Sequence, residues 1–213
     1  MATFLCDWSP AELTVRLEHA LGVYVAAMGY PPGTEQQRAS MWLEHTHRPG
    51  WKAVAAVKVD GVRDVEDARA REAAPGDAAL PSASALRDGP LLGVAYGYRG
   101  GPDQWWQQQV AVGLRHGGLS ESQIAALLSS YFELTELHIH PQAQGRGLGE
   151  ALLRRLLTGR PEAGVLLSTP ESRGEGNRAW RLYRRLGFTD VIREHRFVGD
   201  PRPFAILGRR LPL

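Results

Sequence analysis

Apolar residues recur along the chain at two spacings, one typical of helices and one typical of strands. Residues 2 to 7 favour a short strand. The apolar positions that follow recur at helical spacing and predict a helix from Pro10 to about Met28. Ser9 and Glu12 stand at the spacing of a capping box, with proline at the first helical position.

The same criteria predict the remaining elements. Strands are predicted at 51–59, 91–98, 133–140, 163–169, 191–198 and 204–211, and helices from Thr34, twice within 103–129, up to about Thr158 and at 177–186. The strands at 51–59 and 91–98 are expected to pair as a hairpin, as are the last two. This order predicts a mixed αβ protein of the α+β class, with strand-turn-helix units in its second half.

Length favours one domain over residues 1–213. Between the second and third predicted strands, residues 62–90 are rich in alanine, charge, proline and serine and poor in large apolar residues. We expect an exposed, flexible insertion there.

Composition excludes several classes of function. Lys and Arg number 25 against 23 Asp and Glu, and no stretch is a basic block, so a nucleic-acid partner is not expected. The single cysteine, Cys6, cannot form an internal disulfide and fits a reducing compartment. The N-terminal residues do not resemble a signal peptide, and no segment approaches the roughly 20 apolar residues that span a bilayer. We expect a cytoplasmic protein with no membrane partner.

The stretch HPQAQGRGLGEALLRRLL, residues 140–157, carries glycine at every second position from Gly145 to Gly149 just before a helical pattern. A helix N-terminus has unpaired N–H groups and a partial positive charge, and glycines allow an anion to approach them. A tight turn that needs positive φ is the structural alternative. A Walker loop would require Gly-Lys-Ser/Thr, and the Rossmann fingerprint is also incomplete, so both nucleotide motifs are disfavoured.

Residues Gln144 to Gly149 resemble the Q/R-x-x-G-x-G/A motif of the GNAT superfamily of N-acetyltransferases. Upstream, Leu137-x-Ile139-x-Pro141 is similar to the end of that family's fourth strand. Downstream, residues 179–188 (AWRLYRRLGF) resemble its A-x-x-L-Y-x-x-L-G-F segment. The resemblance covers roughly residues 130–190.

The resemblance implies a GNAT fold, with a central, mostly antiparallel sheet, helices on both faces and a glycine-rich strand-turn-helix site for acetyl-CoA. The residues that it implies in cofactor binding are Leu137, His138, Ile139, Gln144, Gly145, Arg146, Gly147, Leu148, Gly149, Glu150, Asn177 and Tyr183. Asn177 stands one place later than the asparagine of the family pattern.

Amine acylation needs a base for the amine proton and an acid for the departing thiolate. Glu133, six residues before Ile139, is the first candidate base, and its spacing is similar to that of the glutamate in histone-type members of the family. Glu136 is the alternative, and strand alternation places it on the opposite face from Glu133 unless a bulge intervenes. The resemblance implies that Tyr183 is the acid, because a phenol keeps its proton at neutral pH. Each of the three also has a plain structural interpretation, as a solvated carboxylate or a packed tyrosine.

No metal is expected, because His138 and His140 have no third ligand at a useful spacing. The predicted function is the transfer of an acetyl group from acetyl-CoA to a primary amine of a small molecule or peptide. The alternative is a GNAT-like sensor or scaffold that binds an acyl-CoA without reaction. The sequence leaves open the acceptor, and a homodimer is expected only from the habit of the family.

Overall fold

The computed structural model describes residues 2–59, 81–171 and 177–213. Within them the strands are β1 (Ala2–Trp8), β2 (Lys52–Val59), β3 (Leu91–Arg99), β4 (Tyr131–Ile139), β5 (Gly164–Pro170), β6 (Thr189–His195) and β7 (Phe204–Arg210). The α-helices there are α1 (Pro10–Val15), α2 (Leu17–Met28), α3 (Thr34–His45), α4 (Ala83–Asp88), α5 (Trp105–His116), α6 (Glu121–Leu128), α7 (Leu148–Leu157) and α8 (Arg178–Arg185). A short 3₁₀ helix, Pro141–Ala143, precedes α7.

The strands are hydrogen-bonded in the order β1-β2-β3-β4-β5-β7-β6. The pairs β1–β2, β5–β7 and β6–β7 are antiparallel, and β4–β5 is parallel. The neighbours β2 and β3 are buried at almost every position, which explains why their sequences are continuous apolar runs. The predicted α+β class is confirmed, β2 and β3 are hydrogen-bonded neighbours, and β6 and β7 form the predicted antiparallel pair. Strand β4, the turn after it and α7 form a predicted strand-turn-helix unit.

The structure divides into two compact units. The first unit comprises Met1–His47, Lys52–Ala95 and Leu137–Leu156. Its largest fully buried side chains include those of Leu13, Leu21, Trp42, Leu152, Leu153 and Leu156. The strand β1 and the helix α7 are joined here by Arg155, which donates to both carboxylate oxygens of Asp7 at 3.0 and 3.1 Å.

The second unit comprises Arg48–Trp51, Tyr96–Glu136 and Leu157–Leu213. Its core is a cluster contributed by α5, α6, β4, β5, β7 and the segment after β6: Trp106, Val110, Leu114, Ile124, Leu128, Tyr131, Leu166, Phe197 and Ile206. Helix α6 begins with the predicted capping box, in which Ser120 accepts from the Gln123 N–H and Gln123 accepts from the Ser120 N–H. The single domain expected from sequence stays a prediction.

The first predicted helix is interrupted, because Arg16 leaves helical geometry with φ −103° and ψ 12°. Arg16 is 7% exposed, and its guanidinium donates to the carbonyls of Arg87 and Gly89 at the end of α4. The capping box of Ser9 and Glu12 is confirmed. Of the predicted insertion, residues 62–80 lie outside the described residues, and residues 83–88 form α4 behind the N-cap Ser82.

Candidate active site

The glycine turn lies in the first unit, between the 3₁₀ helix and α7. Gly145 and Gly147 have φ of 80° and 78°, a region that strongly favours glycine. Gly149 instead lies inside the first turn of α7. A Cβ built on Gly147 would meet no described atom within 4 Å, so the space over this glycine is open. Two of the three alternating glycines are therefore explained by the backbone, and the turn leaves room for a ligand.

Backbone donors are available at this turn. The first bond of α7 runs from the Ala151 N–H to the Gly147 carbonyl at 3.1 Å. The N–H groups of Leu148, Gly149 and Glu150 precede it and have no intrahelical acceptor, as at any helix N-terminus. Such a helix start favours an anion.

The other predicted residues of the turn have different surroundings. The side-chain amide of Gln144 donates to the Ile139 carbonyl at 3.0 Å and so ties the turn to the end of β4. Arg146 is exposed. Glu150 accepts from Arg154 at 2.9 Å, one helical turn later. Gln144 therefore has a structural task in the turn, whereas Arg146 is on the surface.

Strands β4 and β5 are paired over only part of their length. Their parallel register comprises Tyr131↔Gly164, Phe132↔Val165 and Glu133↔Leu166. Strand β4 then continues to Ile139 and β5 to Pro170. The predicted backbone contacts, at Leu137, His138 and Ile139, belong to the part of β4 that lies beyond this register.

Glu133 lies in the second unit at the last of these pairs, with 3% exposure. The Tyr98 hydroxyl donates to its Oε1 at 3.4 Å. Its Oε2 is buried and has no hydrogen-bond partner among the described residues. Burial raises the pKa of Glu133 to about 8. The Tyr98 hydrogen bond, the Arg48 charge and a hydrogen bond from the Thr135 side chain oppose the rise, and the Glu136 charge adds to it. Of the two candidate bases, Glu133 has the buried carboxyl group, and Glu136 is half-buried.

Tyr183 is buried on α8, and its ring lies 5.5 Å from that of Phe188. Burial raises the pKa of Tyr183 above its ordinary value, and the Glu136 charge raises it further. Its phenol is therefore protonated at neutral pH and can donate a proton. Tyr183, Glu133 and Glu136 all belong to the second unit.

Asn177 is the N-cap of α8, where its side-chain oxygen accepts from the Trp180 N–H at 2.9 Å. This contact gives Asn177 a structural role at the start of the helix that carries Tyr183. Its predicted cofactor contact stays a prediction.

The two histidines of β4 and its end lie in different environments. His138 is 9% exposed and packs edge-on against Tyr24, with ring centroids 4.9 Å apart. His140 caps the 3₁₀ helix by accepting from the Gln142 N–H. Among the described residues no group of three or more His, Cys, Asp or Glu is placed to hold a metal ion.

Sequence reasoning missed Tyr98 and Arg48, which interact with Glu133. Tyr98 follows Gly97 in β3, and a Cβ at Gly97 would come 2.0 Å from the Glu133 carbonyl oxygen. Glycine at 97 thus allows the close approach of β3 and β4 beside Glu133. A glycine flanked by tyrosines within a buried strand was the available signal.

No helix in the described part of the chain is long and apolar enough to cross a membrane.

Comparison with known proteins relates the chain to one family. A family model described as "Acetyltransferase (GNAT) domain" matches residues 90–190. A GCN5-like protein acetyltransferase of Mycobacterium tuberculosis is 63% identical over 213 residues, which are 100% of this chain and 100% of that protein.

Solved structures extend the likeness to the fold. NAA60 of Arabidopsis thaliana, in complex with a bisubstrate analogue, has a TM-score of 0.55 at 17% identity, covering 98% of this chain and 100% of that one. The YncA protein of Salmonella typhimurium, solved with its cofactor acetyl-CoA, has a TM-score of 0.53 at 14% identity, covering 99% and 95%.

Proposed function

Since the chain belongs to the GNAT family of acetyltransferases, we propose that it moves an acetyl group from acetyl-CoA to a primary amine by direct attack. The observation that carries the proposal is the carboxyl group of Glu133, which is buried and has one oxygen without a hydrogen-bond partner among the described residues. A buried carboxyl group with a pKa of about 8 is suited to accept a proton near neutral pH.

The first unit offers a fit for the pyrophosphate of acetyl-CoA. The open space over Gly147 and the left-handed turn at Gly145 and Gly147 leave the N-terminus of α7 accessible to an anion. We assign the pyrophosphate to the backbone N–H groups of the turn from Gly145 to Glu150. The backbone of Leu137 to Ile139 is assigned to the pantetheine arm.

In the second unit Glu133 accepts a proton from the amine as the nitrogen bonds to the acetyl carbon. Acetyl-CoA supplies the acetyl group as a thioester. The carbon–sulfur bond breaks, and Tyr183 donates its proton to the sulfur. Its raised pKa keeps the phenol protonated at neutral pH, so the hydroxyl is available as a donor while negative charge develops on the sulfur.

A protein amine is the acceptor class that we favour, because the relative with 63% identity over the full chain is a protein acetyltransferase by name. A cytoplasmic location, the absence of nucleic-acid and membrane partners and a homodimer remain part of the same proposal.

The test is thiol release from acetyl-CoA with a panel of amines. The panel contains a peptide with one internal lysine and a blocked N-terminus, a lysine-free peptide with a free N-terminus, and a small polyamine. We expect release with one of the peptides, and Glu133→Gln should abolish the rise in rate between about pH 6.5 and 8.5. Glu136→Gln is the matched control and should keep that rise.

Loss of the rise in Glu136→Gln alone would move the base to Glu136. A protein that binds acetyl-CoA in calorimetric titration, yet releases no thiol with any amine of the panel, would support the acyl-CoA sensor instead.

A further inference from the structure

The phenol of Tyr98 contacts one of the two oxygens of the Glu133 carboxyl group. We propose that Tyr98 is a positioning residue for the reaction: its hydroxyl holds Oε1 of Glu133 and so leaves Oε2 as the oxygen that accepts the amine proton. This inference rests on the proposed function, because it assumes that Glu133 is the base.

The geometry comes from the close approach of β3 and β4. The Tyr98 hydroxyl lies 3.4 Å from Oε1, and the side chains of both residues are at least nine-tenths buried. Gly97 permits this approach, because any Cβ there would overlap the Glu133 carbonyl and the Phe132 ring. A carboxyl group held at one oxygen has less rotational freedom, and its other oxygen keeps a defined position.

The hydrogen bond also affects the charge of the carboxyl group. A donor to a carboxylate favours the ionised form, so Tyr98 lowers the pKa of Glu133 against the effect of burial. The pKa of Tyr98 is itself raised, first by burial and then by the Glu133 charge, so its proton stays on the phenol over the working range.

Other charged and titratable groups around Glu133 come from two segments. Arg48, in the segment before β2, lowers the pKa of Glu133, and Glu136 on β4 raises it. Burial raises the pKa of Tyr131, two residues earlier on β4, and the Glu133 charge raises it further. The hydroxyl of Tyr131, however, donates to the Gln107 side-chain oxygen at 3.0 Å. Tyr131 is therefore a second buried tyrosine beside Glu133 whose hydrogen bond goes elsewhere.

The experiment compares Tyr98→Phe with Tyr131→Phe. We expect Tyr98→Phe to move the acidic limb of the rate profile to higher pH by about one unit, since a hydrogen bond to a charged group is lost. At pH values below the limb, Tyr98→Phe should be about tenfold slower than the wild type. Above about pH 9.5 its rate should approach that of the wild type. Tyr131→Phe should leave the limb in place. Calorimetric titration with acetyl-CoA and circular dichroism check that both variants fold.

A second readout does not depend on turnover. The buried carboxyl group can be titrated by infrared difference spectroscopy, with Glu133→Gln identifying its band. We expect the midpoint of that band to rise in Tyr98→Phe and to stay unchanged in Tyr131→Phe.

The two proposals fail differently. The role of Tyr98 is refuted if neither the acidic limb of the rate profile nor the midpoint of the infrared band moves in Tyr98→Phe. If Glu133→Gln still abolishes the limb, Glu133 remains the base. An equal shift in both phenylalanine variants would also refute it, since it would reflect a general change of the core. A limb that survives Glu133→Gln would instead reject Glu133 as the base.

Discussion

Replacing Glu133 with glutamine should stabilise the folded protein at alkaline pH, even though it removes the proposed base. Glu133 is 3% exposed, and burial raises the pKa of its carboxyl group from 4.5 to about 8. Glutamine has nearly the same shape, can still accept from the Tyr98 hydroxyl at its Oε1, and carries no charge at any pH. Any cost of burying the amide nitrogen is the same at every pH, so the change of the stability difference with pH reports the cost of burying the charge.

The sign and size follow from the two pKa values. The folded protein holds the Glu133 proton more tightly than the unfolded chain, so this contribution to stability is full below about pH 4.5 and is lost as pH rises to about 8. Within that window a rise of one pH unit lowers the free energy of unfolding by about 1.4 kcal/mol. Between pH 5.5 and 8 the slope flattens near the upper end, and the wild type should lose about 3 kcal/mol relative to Glu133→Gln.

Urea denaturation at pH 5.5 and at pH 8, followed by tryptophan fluorescence and circular dichroism, measures this difference. Glu136→Gln is the control, because Glu136 is half-buried, and its stability difference from the wild type should change much less between the two pH values. If the difference in free energy of unfolding between the wild type and Glu133→Gln stays constant from pH 5.5 to 8, Glu133 ionises normally in the folded state. That result would refute a raised pKa of Glu133.

Three further substitutions test the turn, the acid and the sheet. Gly147→Val should lower acetyl-CoA affinity at least tenfold in calorimetric titration, because a branched side chain would occupy the open space over the turn. Gly118 has a similar φ of 88° and equally open surroundings, so Gly118→Val should leave that affinity unchanged. A similar loss of affinity in both variants would point to backbone strain alone. Tyr183→Phe should bind acetyl-CoA normally and release thiol about 10²-fold more slowly, with a smaller defect at high pH, and an unimpaired rate would remove it from the mechanism. Gly97→Ala should cost about 3 kcal/mol in denaturation, because its Cβ would lie 2.0 Å from a β4 carbonyl oxygen. Gly22→Ala, in open space within α2, should instead stabilise by up to about 1 kcal/mol, and similar losses in the two variants would contradict this steric account.

The elements were predictable wherever a local pattern determined them. Ser120 and Gln123 fixed the start of α6 by reciprocal hydrogen bonds between residues three apart, which a sequence displays directly. The interruption at Arg16 was not predictable. Its guanidinium reaches the carbonyls of Arg87 and Gly89, more than 70 residues away in the chain. Helical spacing continues through Arg16, so periodicity alone predicts one uninterrupted helix.

The candidate site was predictable to the extent that a motif carries it. Gly145 and Gly147 were singled out by their spacing, and the structure gives both a positive φ, whereas Gly149 lies in the helix. Tyr98 was not found, because its contact with Glu133 depends on the register of β3 against β4 rather than on any spacing within one strand. The pKa of Glu133 was unpredictable for the same reason, since burial of a carboxyl group is a property of its neighbours.

Stability and reactivity at Glu133 depend on the same burial. Water around the carboxyl group would restore an ordinary pKa and remove the cost of ionisation, but the group would then be a weak base at neutral pH. Full burial without any donor would raise the pKa further, and the base would be protonated over the working range. The hydrogen bond from Tyr98 and the charge of Arg48, together with a hydrogen bond from Thr135, oppose the effect of burial and bring the pKa of Glu133 to about 8. Removing Tyr98 or Arg48 should thus lower the rate near neutral pH by raising the pKa of Glu133. Neutralising Glu133 itself should instead raise stability and abolish the acidic limb.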